Sequence, residues 1–315
     1  MRIVVTGATS FIGRAVVEEL LEKRHQVFAA VRPDSAGRGE LEAMQRETGG
    51  QFTVLPVDLS ACGMLDRHPA LDGRADLWLH LGWEGSGSAN RTNPEIQARN
   101  IGYALEALGV AARLGCTRFL FSGSQAEYGI VDGLMREDSP CHPVSEYGKD
   151  KLEVCRRAGE RAAELGITYL HTRIFSVYGP GDHPWSLVSS CVDTFLKGGH
   201  MEFGACTQLW NYLYIKDAVR AITGLLLAKS PSGVYNVAGN DTRPLREFIG
   251  EIHRLCGGRG TFEYGKRPPN AEGVVSLNPD TGKLYRTANF QPRISFEEGI
   301  REMIANHEFY KENSK

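Results

Sequence analysis

The sequence lacks any close pair of cysteines. Its seven cysteines are scattered along the chain, and no two of them form a Cys-x-x-Cys pattern. This spacing argues against a disulfide framework and against a cysteine-ligated zinc site. It predicts reduced thiols in a cytoplasmic protein, with no metal site.

Long apolar runs are also missing. No segment approaches the ~18 apolar residues that a membrane-spanning helix needs, and the first residues, MRIVVTG, do not resemble a signal peptide. The formal net charge is only −2, so the chain as a whole has no strong attraction for nucleic acid or for an anionic membrane. We therefore expect neither as a partner.

The composition is that of an ordinary globular protein. The chain has 315 residues, of which 42% are hydrophobic and 23% are charged. This length suits one main core with a smaller appended lobe.

Apolar runs such as RIVVTG, QVFAAVR and RFLFSGS alternate with helical patterns through the first two thirds. We predict an α/β fold with a Rossmann-like, doubly wound parallel sheet. Its domain is expected to span residues 1–175 and to be completed by about 213–240. About 176–212 and 241–315 are expected to form a smaller C-terminal substrate-binding lobe.

A glycine-containing loop, TGATSFIG, follows the first strand and opens a helix. Gly7 allows a tight turn and Gly13 allows close packing of helix on strand. The free amides at the start of that helix suit a pyrophosphate. Ser10 stands where a middle glycine is usual, so we expect the backbone to approach the phosphates less closely. A purely structural turn is the alternative.

The end of the second strand bears on the choice of cofactor. An acidic residue there usually binds the ribose of NAD, but this chain has Val31 followed by Arg32. An arginine pairs with a 2′-phosphate that a carboxylate would repel. The sequence therefore favours NADP(H), with NAD possible. Asp34 argues the other way but lies beyond the strand end. Asp58, after the third strand, is a candidate for the adenine amino group or a simple loop carboxylate.

Three polar residues predict carbonyl chemistry. Tyr147 and Lys151 are four residues apart, so they share one face of a helix. An ammonium beside a tyrosine favours its phenolate form. Ser124, at the end of the fifth strand, is placed to bond the same substrate oxygen. Together they form a proton donor or acceptor for a carbonyl/alcohol pair, as hydride transfer with a nicotinamide requires.

With these motifs the chain resembles an extended short-chain dehydrogenase/reductase of the sugar-nucleotide epimerase/dehydratase branch. The resemblance covers nearly the whole length and includes DLWLHLGW, FLFSGSQAEYG, YGKDK, RIFSVYGPGD, WNYLYIKDAV and GVYNVAG. It implies an enzyme that acts on a nucleotide-linked sugar and pairs as a homodimer through helices containing residues 102–114 and 151–164. Leu105, Leu108 and Val154 would lie at or behind that surface or belong to the monomer core.

The resemblance also implies roles for individual residues. Ser124, Tyr147 and Lys151 would be the catalytic triad. The implied residues of the cofactor site are Gly7, Thr9, Ser10, Phe11, Ile12, Gly13, Arg32, Asp58, Leu59, Leu81, Gly82, Asn100, Tyr147 and Lys151. Among them, Asn100 would support the loop beside the cofactor. The implied substrate-binding residues are Trp83, Gln125, Tyr178 and Trp210.

Two departures from the family pattern bear on the reaction and on the binding of the diphosphate. The 4,6-dehydratases of the family place Asp and Glu after the catalytic hydroxyl, whereas this chain has Gln125 and Ala126. Neither can transfer a proton, and strand alternation would turn Glu127 to the other face. Trp210 stands where an arginine for the diphosphate is expected, and either stacks on the ligand or fills the core. Other candidates for the diphosphate are Arg243, Arg246, Lys266 and Arg267.

Three hypotheses follow from the sequence. The first is an NADP(H)-dependent reductase of a nucleotide-linked 4-keto-6-deoxy sugar, with Tyr147 as the proton donor. The alternative is a non-redox, NAD-dependent sugar-nucleotide epimerase that uses the same triad. The third, a non-catalytic NADP-binding sensor, is disfavoured because such proteins usually lack the tyrosine–lysine pair.

Overall fold

The computed structural model describes residues 1–268 and 273–312. Its centre is a seven-stranded sheet in which every neighbouring pair is parallel, in the order β3-β2-β1-β4-β5-β6-β10. These strands are β1 (Arg2–Thr6), β2 (Gln26–Val31), β3 (Phe52–Pro56), β4 (Leu77–His80), β5 (Arg118–Ser124), β6 (Thr168–Ile174) and β10 (Gly233–Val237). The predicted fold class is confirmed.

Helices cover both faces of this sheet. They are α1 (Phe11–Glu22), α2 (Arg38–Glu47), α3 (Pro94–Arg113), α4 (Glu146–Leu165) and α6 (Ile215–Leu227). Along β1, Ile3 and Val5 face a core shared with α1 and α6, whereas Val4 faces a second core shared with α3 and α4. Because successive strand residues point to opposite faces, a strand with a core on each side must be apolar throughout.

The remaining elements form a lobe beside the carboxyl ends of the strands. A three-stranded sheet joins β7 (Ser176–Tyr178), β9 (Leu209–Tyr214) and β11 (Thr242–Pro244), and a pair joins β8 (His200–Glu202) to β12 (Thr261–Glu263). The helices are α5 (Leu187–Leu196), α7 (Leu245–Leu255), α8 (Gly282–Ala288) and α9 (Phe296–Glu312). The predicted division into two domains stays a prediction, and its residues 269–272 and 313–315 lie outside the described part.

The helices proposed for dimerisation are packed in the monomer through their apolar residues. Leu108 of α3 and Val154 of α4 are fully buried in the core beneath the sheet, and Leu105 packs against it. The exposed side of α4 carries ion pairs, such as Arg156 with Glu153 and Glu160. Leu108 and Val154 therefore belong to the monomer core, and dimerisation stays a prediction.

Two other sequence expectations concern cysteines and membranes. All seven cysteines are free thiols, and burial raises the pKa of Cys62, Cys116 and Cys191 to about 12. In residues 1–268 and 273–312, no helix combines the length and the apolar character needed to cross a membrane.

Candidate active site

A cleft of about 1810 Å³ lies at the carboxyl ends of the parallel strands. Its lining begins with Gly7 after β1, passes Leu81 after β4 and Ser124 at the end of β5, and reaches Trp210 and Arg267 of the lobe. β1 lies between β2 and β4, so the order of the strands reverses at this point. Ligands of doubly wound sheets bind in the crevice formed at such a reversal.

The loop between β1 and α1 has the geometry of a phosphate cradle. Gly7 has a φ of +73°, and a Cβ on it would lie 2.6 Å from the backbone nitrogen of Gly82. Ser10 caps α1: its Oγ accepts from the backbone N–H of Gly13 at 3.1 Å and donates to the carbonyl of Gly7 at 2.8 Å. Ser10 therefore closes the turn that a middle glycine would leave open, and the start of α1 faces the cleft.

The strand β2 ends at the buried Val31, and Arg32 follows at the rim of the cleft. Arg32 has no carboxylate within ion-pair distance among the described residues. It is near enough to Asp58 to contribute to the lowered pKa of that carboxyl, although hydrogen bonds from Ser60 are the larger cause. The Asp58 carboxylate accepts from the backbone N–H and hydroxyl of Ser60. Asp58 lines the cleft but is already held by its own turn.

Helix α4 delivers Tyr147 and Lys151 to the same wall of the cleft. Ser145 caps the helix, accepting from the N–H of Gly148 at 3.4 Å. The lysine Nζ is 5.6 Å from the centroid of the Tyr147 ring and donates to the carbonyl of Ser122 at 2.5 Å. Tyr147 and Lys151 are only 8% and 2% exposed. The predicted i, i+4 pair therefore meets at the cleft, beside the end of β5.

The ammonium of Lys151 lies in an aromatic environment. Its Nζ is 3.9 Å from the centroid of the Trp83 ring and 4.7 Å from that of Phe121. Burial lowers its pKa to about 7, with Glu127 opposing and Arg91 reinforcing this effect. The aromatic faces stabilise the cation that burial disfavours. Trp83 thus lines the cleft as part of the lysine's surroundings, held by a 2.8 Å bond from its Nε1 to Gln97.

The segment after β5 is a 3₁₀ turn of residues Gln125–Glu127, capped by Ser124. Ser124 and Gln125 line the cleft, and the Oε1 of Gln125 is buried without a hydrogen-bond partner among the described residues. Glu127 is fully buried and bonds His171 and Arg173. Glu127 is turned away from the cleft, as predicted, but strand alternation is not the reason. The chain leaves the strand at Ser124 and turns, so strand alternation does not apply.

Most residues selected from the sequence share this cleft, but three of the predicted ligand contacts do not line it. Gly13 lies behind the loop with its N–H bonded to Ser10. Asn100 is buried in α3, where its amide accepts from the N–H of Glu84 and donates to the Glu84 carbonyl. Asn100 therefore supports the loop after β4, as the resemblance implied, and does not itself line the cleft.

The third correction is Tyr178, which was expected to bind substrate. It is buried, its hydroxyl donates to the carbonyl of Phe296, and its ring packs against those of Tyr212 and Tyr214. Burial raises the pKa of its hydroxyl strongly. Tyr178 is therefore a core residue of the lobe. Trp210, in contrast, lines the cleft while its ring also packs against the hydrophobic cores.

Sequence reasoning missed Arg91 and Trp185, which also line the cleft. The guanidinium of Arg91 lies 4.6 Å from the centroid of the Tyr147 ring, and the carbonyl of Arg91 accepts from the Tyr147 N–H at 2.9 Å. Trp185 is 73% exposed and stacks on His183. Both residues lie in irregular loops, where no periodicity marks them. An aromatic residue in the Gly/Pro-rich stretch YGPGDHPW was the available signal for Trp185.

One group of possible metal ligands occurs within the described residues. Atoms of Glu127, Cys155 and His171 lie within 4.8 Å of one another. The carboxylate already bonds His171 and the guanidinium of Arg173, and a cation in this position disfavours a metal ion. The expectation of no metal site stays a prediction.

Comparison with known proteins shows the family of the chain. The model of the family described as "NAD dependent epimerase/dehydratase family" matches residues 3–238. The chain belongs to that family. The predicted family is therefore confirmed, and so is the prediction that the protein is an enzyme.

Individual members of the family are similar along most of the chain. An uncharacterized UDP-glucose epimerase of Bacillus subtilis is 26% identical over 97% of both chains. A dTDP-6-deoxy-L-talose 4-dehydrogenase (NAD(+)) of Aggregatibacter actinomycetemcomitans is 27% identical over 81% of this chain and 92% of its own. The solved structure of MoeE5 with UDP-glucuronic acid and NAD is 25% identical, covers 100% of both chains and has a TM-score of 0.83. NAD is therefore the cofactor that the comparisons support, and they do not support a preference for NADP.

Proposed function

We propose that the protein is an NAD-dependent epimerase of a nucleotide-linked sugar. The observation that carries this proposal is the set of groups around Ser124. Tyr147 and Lys151 share the cleft with its hydroxyl, while the adjacent side chain is the neutral amide of Gln125. The nearest carboxylate along the chain, Glu127, is buried in ion pairs. Such a site supports exchange between an alcohol and a carbonyl and lacks the carboxylic acid and base that a dehydratase places there.

The cleft fits a dinucleotide at the β1–α1 loop. Gly7 lies close to Gly82, and Phe11 and Ile12 at the start of α1 line the cleft. The first N–H groups of a helix have no partner within the helix and suit a phosphate. When bound, the nicotinamide supplies a hydride acceptor that can return the hydride to either face of a sugar carbonyl. Tyr147 would take the proton of the sugar hydroxyl and give it back. Ser124 would bond the same oxygen, and Lys151 would stabilise the phenolate.

A nucleotide-linked sugar is supported by the extent of the cleft and by the relatives. Beyond Tyr147 the lining continues to Trp210 and Arg267 of the lobe, which offer a flat ring and a cation to a base and a diphosphate. The similar proteins are named for UDP-glucose and dTDP-6-deoxy-L-talose, and one is solved with UDP-glucuronic acid. We propose the same class of substrate for this chain, without choosing the base.

The epimerase proposal is tested by product analysis. The protein is incubated with NAD and, separately, with UDP-glucose, UDP-glucuronic acid and dTDP-glucose, and the sugar is examined by NMR. We expect one hydroxyl to be inverted without net formation of NADH. Tyr147→Phe should slow turnover by ~10²–10⁴-fold. Tyr235→Phe is the matched control, because its hydroxyl donates to the carbonyl of Pro231 outside the cleft. Equal loss in both variants, or a product that has lost water, would exclude the proposed chemistry.

A second candidate, an NADP(H)-dependent reductase of a 4-keto-6-deoxy sugar nucleotide, is favoured by Arg32. Its guanidinium has no ion-pair partner within the described residues and stands at the rim of the cleft where β2 ends. A 2′-phosphate at this position would form a charge-assisted pair with it. A reductase would use external NADPH, whereas an epimerase retains its cofactor.

Calorimetric titration with NADPH and NADH separates the two candidates. If the reductase is correct, NADPH binds about 10-fold to 100-fold more tightly, since a charge-assisted hydrogen bond is worth ~1.5–3 kcal/mol. Arg32→Asp should then reverse the preference, and Arg46→Asp, on the exposed side of α2, should leave it unchanged. NADPH should also be consumed when a 4-keto-6-deoxy sugar nucleotide is supplied. Tighter binding of NADH by the wild type would reject this candidate.

A further inference from the structure

The buried carboxylate of Glu127 lies directly behind the end of β5. Its Oε1 accepts from the backbone N–H of Ser124 at 2.8 Å and lies 2.9 Å from the Nε2 of His171. Its Oε2 accepts from the Nε of Arg173 at 2.9 Å. Glu127 and His171 are fully buried and Arg173 nearly so. A carboxylate taken out of water at this depth must be matched by such partners.

The side chains around Glu127 keep its carboxylate ionised. Burial acts against the charge of Glu127, but His171 and Arg173 hold the pKa of the carboxyl below its ordinary value. Burial opposes the imidazolium too, yet Glu127 raises the pKa of His171 to about 9. Cys155 also raises the pKa of His171, and Tyr128 and Cys141 raise that of Arg173. The hydroxyl of Tyr169 lies 3.0 Å from the Nδ1 of His171. The carboxylate is therefore flanked by two cations at neutral pH.

Two glycines show that the backbone is shaped around this carboxylate. A Cβ on Gly123 would collide with the Nε2 of His171 and the Oε1 of Glu127. A Cβ on Gly148 would lie 2.5 Å from the carbonyl oxygen of Ala126, in the turn that Ser124 caps. The turn is thus held on one side by the bonds of its own Glu127 to His171 and Arg173, and on the other by the close approach of α4. Gly148 follows Tyr147 directly, so this close approach joins the helix that carries Tyr147 to the turn after Ser124.

We propose that Glu127 is a positioning residue, which fixes Ser124 and the turn after it against the helix that carries Tyr147. The inference rests on the proposed roles of Ser124 and Tyr147 and applies to the epimerase and the reductase alike. Glu127 does not line the cleft and so transfers no proton to the sugar. It acts by holding the Ser124 N–H, which orients the hydroxyl and the amide of Gln125 toward the substrate.

Glu127→Gln tests this role because it keeps the shape and removes the charge. The matched control is Asp217→Asn, since Asp217 is equally buried, pairs with Arg220 and accepts from two backbone N–H groups of residues 293 and 294. Both variants should lose thermal stability. We expect Glu127→Gln to lower kcat on the order of 10²-fold, as misplacement by about 1 Å can do, with little change in KM. Asp217→Asn should retain the wild-type kcat.

A double-mutant cycle shows whether the effect passes through Ser124. In a Ser124→Ala background, Glu127→Gln should lower kcat by less than about threefold, because interacting residues are not additive. A full effect in that background would overturn the proposal, as would equal kcat losses in the Glu127 and Asp217 variants. If Glu127→Gln does not fold, Gly123→Ala replaces it. The added methyl displaces the same carboxylate without removing a charge, and the same pattern is expected.

A substrate-free measurement separates this inference from the proposed function. Hydrogen exchange followed by mass spectrometry should show faster exchange at residues 124–128 in Glu127→Gln and no local change there in Asp217→Asn. If the wild type turns over none of the sugar nucleotides, the proposed function fails while this result still decides the positioning role. Unchanged exchange at residues 124–128 would reject that role even in an active enzyme.

Discussion

The buried ammonium of Lys151 destabilises the folded state, so replacing Lys151 with an apolar residue should stabilise the protein. Burial, partly offset by Glu127, lowers its pKa from 10.5 to about 7. Since each pKa unit corresponds to about 1.4 kcal/mol, the charged lysine destabilises the folded state by about 5 kcal/mol at low pH. The unfolded chain binds this proton more tightly. The contribution of Lys151 to stability is therefore most unfavourable below pH 7, and it becomes less unfavourable as the pH increases from about 7 to about 10.5.

Lys151→Met should accordingly raise the free energy of unfolding at pH 7, by ~1–4 kcal/mol, because an apolar side chain of similar length replaces the buried charge. The advantage over the wild type should shrink by about 2 kcal/mol at pH 9, where the wild-type lysine is already neutral when folded. The assay is urea denaturation of the unliganded protein at both pH values. Turnover should fall severely in the same variant.

Lys149→Met is the control, since this lysine lies on the exposed side of α4 with its Nζ 2.6 Å from Glu146. It should change stability by less than about 1 kcal/mol and equally at both pH values. Two results would refute this reasoning. One is a lower free energy of unfolding for Lys151→Met than for the wild type at pH 7. The other is a difference in free energy of unfolding that is the same at both pH values.

Three further predictions concern the packing and the assembly of the chain. Gly148→Ala should lower both stability and kcat, because the new methyl meets the Ala126 carbonyl oxygen at 2.5 Å; thermal melting and steady-state kinetics check this. Leu108→Ala should cost ~2–5 kcal/mol in urea unfolding, since the side chain is fully buried in the monomer core. Light scattering at micromolar concentration should give the mass of a dimer, and a monomer alone would contradict the predicted assembly.

The sequence alone was sufficient to predict the fold, and it selected Ser124, Tyr147 and Lys151, which the structure brings to one cleft. Strands with a core on each face must be apolar throughout, so β1, β2 and β5 are visible as short continuous runs between helical patterns. Tyr147 and Lys151 are linked by the helical repeat itself. The cradle at Gly7 follows from local chain geometry, because a tight strand–turn–helix connection needs a residue that tolerates positive φ.

Tertiary structure decided what no local pattern encodes. The family resemblance implied that Tyr178 binds substrate, yet β7 belongs to the small sheet of the lobe and the ring packs in the core of the lobe. Arg91 reaches Tyr147 only because a loop after β4 folds over α4. The partners of Glu127 come from β6, more than forty residues further along the chain. Spacing in sequence fixes neighbours on one element, whereas contacts between elements depend on how the sheet brings distant strand ends together.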